Sequence, residues 1–167
     1  IFLTNGNIIS TNFDHEEKNK ISIKDFNEKE KTNLDSGNVL TLLNSALLSG
    51  GFALEIAKNY KLNKPLVVYN YYSNDLKNKI LNNKNSIKLN EGSELTLIDY
   101  SDGNIQSNFI KNTIDIVYLE ENAVLKNILI QNSKSNGHFY RYVKGSLESR
   151  SNYENYILSS GLKLNKT

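Results

Sequence analysis

From residue 52 onward the chain is a succession of short alternations of apolar and polar residues, most of them five to eight residues long. The runs are Phe52–Ile56, Leu66–Tyr72, Ile87–Leu89, Glu94–Tyr100, Ile105–Ile110, Thr113–Leu119, Val124–Gln131, Phe139–Val143, Leu147–Ser149 and Tyr153–Leu158. A period of two sends successive side chains to opposite faces, so each run predicts a strand with one buried and one wet face. Leu95 and Leu97 mark such a buried face, as do Ile114, Ile116 and Tyr118. Turn residues separate the runs, at Asn63-Lys64-Pro65, Glu91-Gly92-Ser93, Ser101-Asp102-Gly103 and Ser135-Asn136-Gly137. Pro65, the only proline, opens a strand, where the missing N–H is tolerated. Asn74–Asn85 is expected to be a polar loop.

The first fifty residues read differently. Ile1–Thr4 and Ile8-Ile9 flank Asn5-Gly6, a pair that accepts the positive φ of a tight hairpin turn. Residues 11–37 are polar, with one alternating stretch at Ile21-Ser22-Ile23 and a Glu-Lys run from Glu28 to Lys31 that suits solvent. Over residues 38–49, Val39, Leu40, Leu43, Ala46 and Leu47 recur at helical spacing. Asp35, Ser36 or Asn38 can cap that helix, Gly50-Gly51 is expected to stop it, and its apolar side is expected to lie against a sheet. Two segments follow: residues 1–50 as hairpin, linker and helix, and residues 51–167 as a β core.

The β region also repeats. Leu89-Asn90-Glu91-Gly92-Ser93-Glu94-Leu95 is echoed thirty residues on by Leu119-Glu120-Glu121-Asn122-Ala123-Val124-Leu125, and upstream by Ile56-Ala57-Lys58-Asn59-Tyr60-Lys61-Leu62. A recurring strand-corner-strand at this period marks a stacked architecture. It predicts a β-solenoid in which Leu89 lies over Leu119 and Leu95 over Leu125. A sandwich or barrel, the other solutions for many short strands, would not require its corners to repeat.

Composition narrows the chemistry. The 167 residues carry 38% apolar side chains and a net charge of +2, which gives no electrostatic case for nucleic acid or a membrane surface. No apolar run approaches the roughly 20 residues of a bilayer span. Cysteine is absent, and so is methionine, even at position 1, so the chain reads as an excised piece of a longer protein. His15 and His138 lack metal-ligand spacing and read as surface residues; no phosphate loop or nucleophile elbow occurs. Asp99 and Asp102 flank a turn, while Glu91 and the Glu120-Glu121 pair sit at corners, where carboxylates are normally solvated. Tyr69, Tyr71 and Tyr72 form the densest aromatic group; packing between strands explains them better than a sugar platform.

Five stretches together resemble the SufD family, scaffolds of SUF iron–sulfur cluster assembly. They are the opening Ile1–Ile8 hairpin; Leu42–Leu47 followed by Gly51–Ile56; Lys64-Pro65-Leu66; Glu91–Ile98; and Ser159–Lys166, where Lys166 stands at a position usually held by Arg. The sister family SufB shares the helix-strand entry, and the Asn-Gly hairpin is closer to SufD. The resemblance implies a mainly β chain, a right-handed parallel β-helix preceded by a hairpin and one short helix. It implies a non-enzymatic scaffold working with a SufB-like protein and the ATPase SufC, in the bacterial cytoplasm or a plastid stroma. The iron–sulfur cluster is then cargo of the full complex, and no residue of this chain is assigned a catalytic, cofactor-binding or metal-binding role. Self-association is expected through exposed solenoid ends around Tyr153–Leu164. The alternative is an unrelated β-solenoid that binds carbohydrate or cleaves polysaccharide.

Overall fold

The computed structural model describes residues 1–14, 16–26, 38–103, 108–132 and 137–167. In chain order the strands are β1 (Phe2–Thr4), β2 (Asn7–Ser10), β3 (Ile21–Asp25), β4 (Phe52–Ile56), β5 (Leu66–Tyr71), β6 (Ile80–Leu89), β7 (Glu94–Asp102), β8 (Phe109–Leu119), β9 (Val124–Asn132), β10 (Gly137–Leu147), β11 (Asn152–Ser160) and β12 (Leu164–Lys166). One helix, α1 (Val39–Ala46), lies between β3 and β4.

The strands form two six-stranded sheets, ordered β11-β9-β7-β5-β1-β2 (sheet A) and β12-β10-β8-β6-β4-β3 (sheet B). Each turn of chain runs along one strand of sheet B, rounds a corner, and returns along one strand of sheet A. Successive turns pair in parallel, giving a β-solenoid of about four turns. Register is in phase throughout. Leu89 pairs with Leu119 and Leu95 with Leu125, as the repeat predicts. These leucines join Ile56, Leu54, Leu97 and Val117 in a core between the sheets.

The corner explains the repeat. Its fourth residue is left-handed in every turn: Asn59, Gly92, Asn122 and Arg150 have φ of 58°, 65°, 58° and 56°. Asn and Gly reach that region easily. At Gly92 a Cβ would also lie 2.5 Å from Asn59 Oδ1. The corners hydrogen-bond to one another, Asn59 N–H to Glu91 O, Gly92 N–H to Glu121 O and Asn122 N–H to Ser149 O. The last of these belongs to a fourth copy, Leu147–Tyr153, which Arg150 and Tyr153 disguise in the sequence; Leu147 pairs with Leu119 and Tyr153 with Leu125.

The N-terminal segment joins the solenoid. Asn5 and Gly6, at φ of 49° and 85°, turn β1 into the antiparallel β2, and β1 then pairs in parallel with β5. β3 closes sheet B by antiparallel pairing with β4.

Several boundaries differ from those read in the sequence. β6 begins at Ile80, so half of the expected Asn74–Asn85 loop is strand, its amides engaged by neighbouring coils: Asn85 Nδ2 donates to Asp115 and Asn82 Oδ1 accepts from Asn112. β8 and β10 are each one strand of eleven residues, β10 containing the expected Phe139–Val143 run and ending at Leu147, the first residue of the expected Leu147–Ser149 run. The turn at 135–136 and the residues Ile105, Gln106, Glu28–Lys31, Asp35 and Ser36 lie outside the described residues, as does His15.

The helix is the largest departure. It is shorter than expected and is capped by Asn38, whose side chain accepts from the Leu40 N–H. Its polar residues are the buried ones, Thr41 at 2% exposure and Asn44 at 0%, whereas Val39, Leu42 and Leu47 are 75%, 58% and 57% exposed. The reason is the surface it meets. Asn44 Nδ2 donates to the carbonyls of Asn83 and Asn112, and Asn112 Nδ2 donates back to Leu40 O, so amide pairing selects the docked face. Gly50-Gly51 is not the helix stop. Gly51, at φ +142°, instead lets the backbone of β6 approach, because a Cβ there would sit 1.8 Å from Lys84 O.

Candidate functional site

Alternation along β7, β8 and β10 sends Asp99, Asp115, Lys111 and Arg141 into the space between the sheets. Arg141 bridges both acids, with Nη2 2.6 Å from Asp99 Oδ2 and Nε 3.3 Å from Asp115 Oδ2. Each acid takes a second donor on its other oxygen: Asn70 Nδ2 reaches Asp99 Oδ1 at 2.7 Å, and Asn85 Nδ2 reaches Asp115 Oδ1 at 2.8 Å. Five strands, β5, β6, β7, β8 and β10, drawn from four successive coils, therefore meet at one polar knot.

The charges balance. Two carboxylates and one guanidinium leave one negative charge, which Lys111 offsets. Lys111 is 5% exposed, and its Nζ lies 5.1 Å from the Tyr72 ring centroid and 5.4 Å from that of Phe139. A cation held against two aromatic faces gains from the ring quadrupoles. Burial alone would push the Asp99 carboxyl up, but Arg141 and Lys111, with the hydrogen bonds from Arg141 and Asn70, hold it below the ordinary carboxylate range. Burial would likewise lower Arg141, yet the two carboxylates outweigh it and raise its pKa.

Beside the knot is a cavity of about 30 Å³, lined among others by Asp99, Ser101, Lys111, Thr113, Gln131 and Arg141. That is room for about one water. The Thr113 hydroxyl, 1% exposed, has no hydrogen-bond partner of its own. The acids' oxygens are already engaged, and the space is too small for a sugar or nucleotide. The arrangement can fix register and hold a solvent molecule. It offers no general acid beside a free substrate position.

The carboxylates singled out in the sequence do not converge. Asp99 points inward, whereas Asp102 accepts from the Tyr69 hydroxyl on the outer face. Glu91 and Glu121 do stack on adjacent corners, but each faces its own cation, Glu91 with Lys58 at 2.6 Å and Glu121 with Arg150. Glu120 accepts from the Glu91 N–H and pairs with Lys88. Tyr69 and Tyr71 share the outer face and Tyr72 is buried, its hydroxyl 3.3 Å from that of Ser101. The Tyr69 ring is stacked between Phe2 and Tyr100, centroids 5.5 and 5.3 Å away, so its faces are used within the protein. A sugar platform needs such a face open. His138 is on β10, in register with Ile110 and Leu164.

Alternation in β8 could not reveal the inner knot, because both phases of that strand are buried; of the expected buried face Ile114, Ile116 and Tyr118, only Tyr118 departs, at 40% exposure. Ile114 and Ile116 are buried, but on the side of sheet B that carries α1; the opposite phase, Lys111, Thr113 and Asp115, faces the interior. The stack of Leu89 on Leu119 held the signal, since stepping back by twos from Leu119 leads to Asp115. Among the described residues no group of three or more His, Cys, Asp or Glu is placed to hold a metal, and no helix is long and apolar enough to cross a membrane. No protein-family model and no curated protein matches the chain.

Proposed function

We propose that this chain is part of a non-enzymatic scaffold of the SUF type, acting in iron–sulfur cluster assembly with a SufB-like protein and a SufC-like ATPase, in the cytoplasm or a plastid stroma. The observation that carries the reading is the fold: an Asn-Gly hairpin leading into in-register parallel coils is the architecture that the SufD resemblance implies. The interior chemistry supports it. The buried acids are locked by Arg141 and by amides, and the corner acids are matched with cations, as suits a rigid platform. Self-association through solenoid ends would use the unpaired backbone along the outer edge of β11, the last strand of sheet A.

Affinity capture tests the proposal. The protein, tagged in its own cell, is expected to bring down a SufB-like protein and a SufC-like ATPase through washes at moderate salt. Recovery of neither would overturn it.

A further inference from the structure

The β1–β2 turn is built on a chemically labile pair. An asparagine followed by glycine loses its side-chain amide more readily than other sequences, because no Cβ hinders attack by the following nitrogen. The fold nevertheless needs both residues. Asn5 and Gly6 are left-handed, at φ of 49° and 85°. A Cβ on Gly6 would lie 2.4 Å from Asn83 Nδ2 and 2.5 Å from its Oδ1, so only glycine fits against that amide.

The Asn5 side chain ties the turn to the coil. Its Oδ1 accepts from the Ser73 N–H at 3.0 Å, and its Nδ2 donates to the Ser73 hydroxyl at 2.8 Å. The Asn5 backbone continues the grip, its N–H donating to Tyr71 O at 3.0 Å. Ser73 is itself fixed, since its hydroxyl donates to Asp75 Oδ2 at 2.9 Å.

We propose that Asn5-Gly6 is a deamidation site held closed by Ser73, and that its conversion releases the β1–β2 hairpin from β5. The reaction needs no oxidant or co-reactant besides water. The Gly6 nitrogen gives up its proton and bonds to Asn5 Cγ; the Cγ–Nδ2 bond breaks and ammonia leaves. Water then opens the succinimide at either carbonyl, leaving aspartate or β-linked isoaspartate. Two features of the grip oppose this. Attack makes Cγ tetrahedral, which tilts the amide out of line with its two partners on Ser73. The departing nitrogen must also gain a proton, and the hydroxyl beside it has none to give, because it accepts from Nδ2 and donates its own to Asp75.

The product cannot remake the latch. A carboxylate has no donor for the Ser73 hydroxyl, and it sets a second negative charge beside Asp75. A β-linkage also adds a backbone carbon to the turn that sets the β1–β2 register. Phe2–Thr4 then lose the anchor that aligns them with Tyr69–Tyr71, and β5 becomes an unpaired edge of sheet A.

The folded protein and a peptide of Ile1–Ser10, held in the same mildly alkaline buffer, are mapped by mass spectrometry for conversion at Asn5. The folded chain is expected to convert at least about tenfold more slowly than the peptide, and Ser73→Ala about threefold faster than the parent while keeping its β-sheet circular dichroism. Asn5→Asp stands in for the product. It is expected to speed hydrogen exchange over Phe2–Thr4 and Tyr69–Tyr71 at least about tenfold, with Val124–Asn132 exchanging as in the parent. Equal rates in the folded chain and the peptide, a Ser73→Ala rate equal to the parent's, or unchanged exchange in Asn5→Asp overturns the proposal.

Discussion

Replacing Arg141 by Met leaves Asp99 and Asp115 facing each other in the interior without their shared cation. The wild-type contacts are 2.6 and 3.3 Å, and the three side chains are 9%, 14% and 7% accessible in the order Arg141, Asp99, Asp115. At an effective dielectric near 20, each such attraction is worth about 4 kcal/mol before desolvation. Removing one partner of a buried pair costs about 3–5 kcal/mol, since the other charge stays buried. For a chain of this size that corresponds to a fall in melting temperature of roughly 6–20 °C. The pH dependence gives the mechanism its signature. In the wild type the Asp99 pKa is depressed, so its contribution is present above the unfolded value of about 3.9 and is lost as pH falls through the lower folded value. Without Arg141 burial dominates and the folded pKa rises above the unfolded one. The variant's deficit is then largest at neutral pH and shrinks on acidification. Urea midpoints for both proteins at about pH 7.5 and about pH 5 read this directly. The double variant Arg141→Met/Asp99→Asn leaves Asp115 and Lys111 as a balanced pair, and is expected to recover at least half of the loss. A deficit below about 1 kcal/mol, or one equal at both pH values, would refute the charge-balance reasoning.

Three further outcomes follow from the coils and the helix. Leu125→Ala removes a side chain with no exposed surface from the interior stack and is expected to cost about 2–5 kcal/mol in denaturant unfolding. Gly92→Ala forces a Cβ into a left-handed corner against Asn59 and is expected to cost about 1–2 kcal/mol by the same measurement; an unchanged midpoint would contradict the corner geometry. Asn44→Ala should destabilise by about 1–3 kcal/mol and speed hydrogen exchange over Val39–Ala46, because two sheet carbonyls lose their donor. Leu42→Ala, at an exposed position, should stay within about 0.5 kcal/mol. The reverse order of these two helix variants would show that the helix docks by its apolar side.

The coil architecture was legible because the corner is chemically constrained. A left-handed position admits Gly or Asn readily, and the leucines on either side face a core that repeats with the turn. Where that constraint was met by another residue, as at Arg150, the copy was invisible in the sequence although its backbone is the same. The helix existed where its periodicity placed it, but periodicity says which residues share a face, not which face the sheet accepts. The Asn82–Asn112 row made the acceptable face polar. The ionic knot was illegible for a related reason. Asp99, Lys111, Asp115 and Arg141 are spread over more than forty positions, and only in-register stacking brings them into one layer. Neither composition nor local pattern carries that register past the leucine core, since polar interior columns look like solvent-facing ones in a single strand.

Native mass spectrometry of the complexes formed by the protein in its own cell tests the scaffold role most directly. The expected spectrum contains an assembly in which this chain is bound to a SufB-like protein and a SufC-like ATPase in fixed ratio. A spectrum showing the chain only alone, or only with copies of itself, would contradict the role.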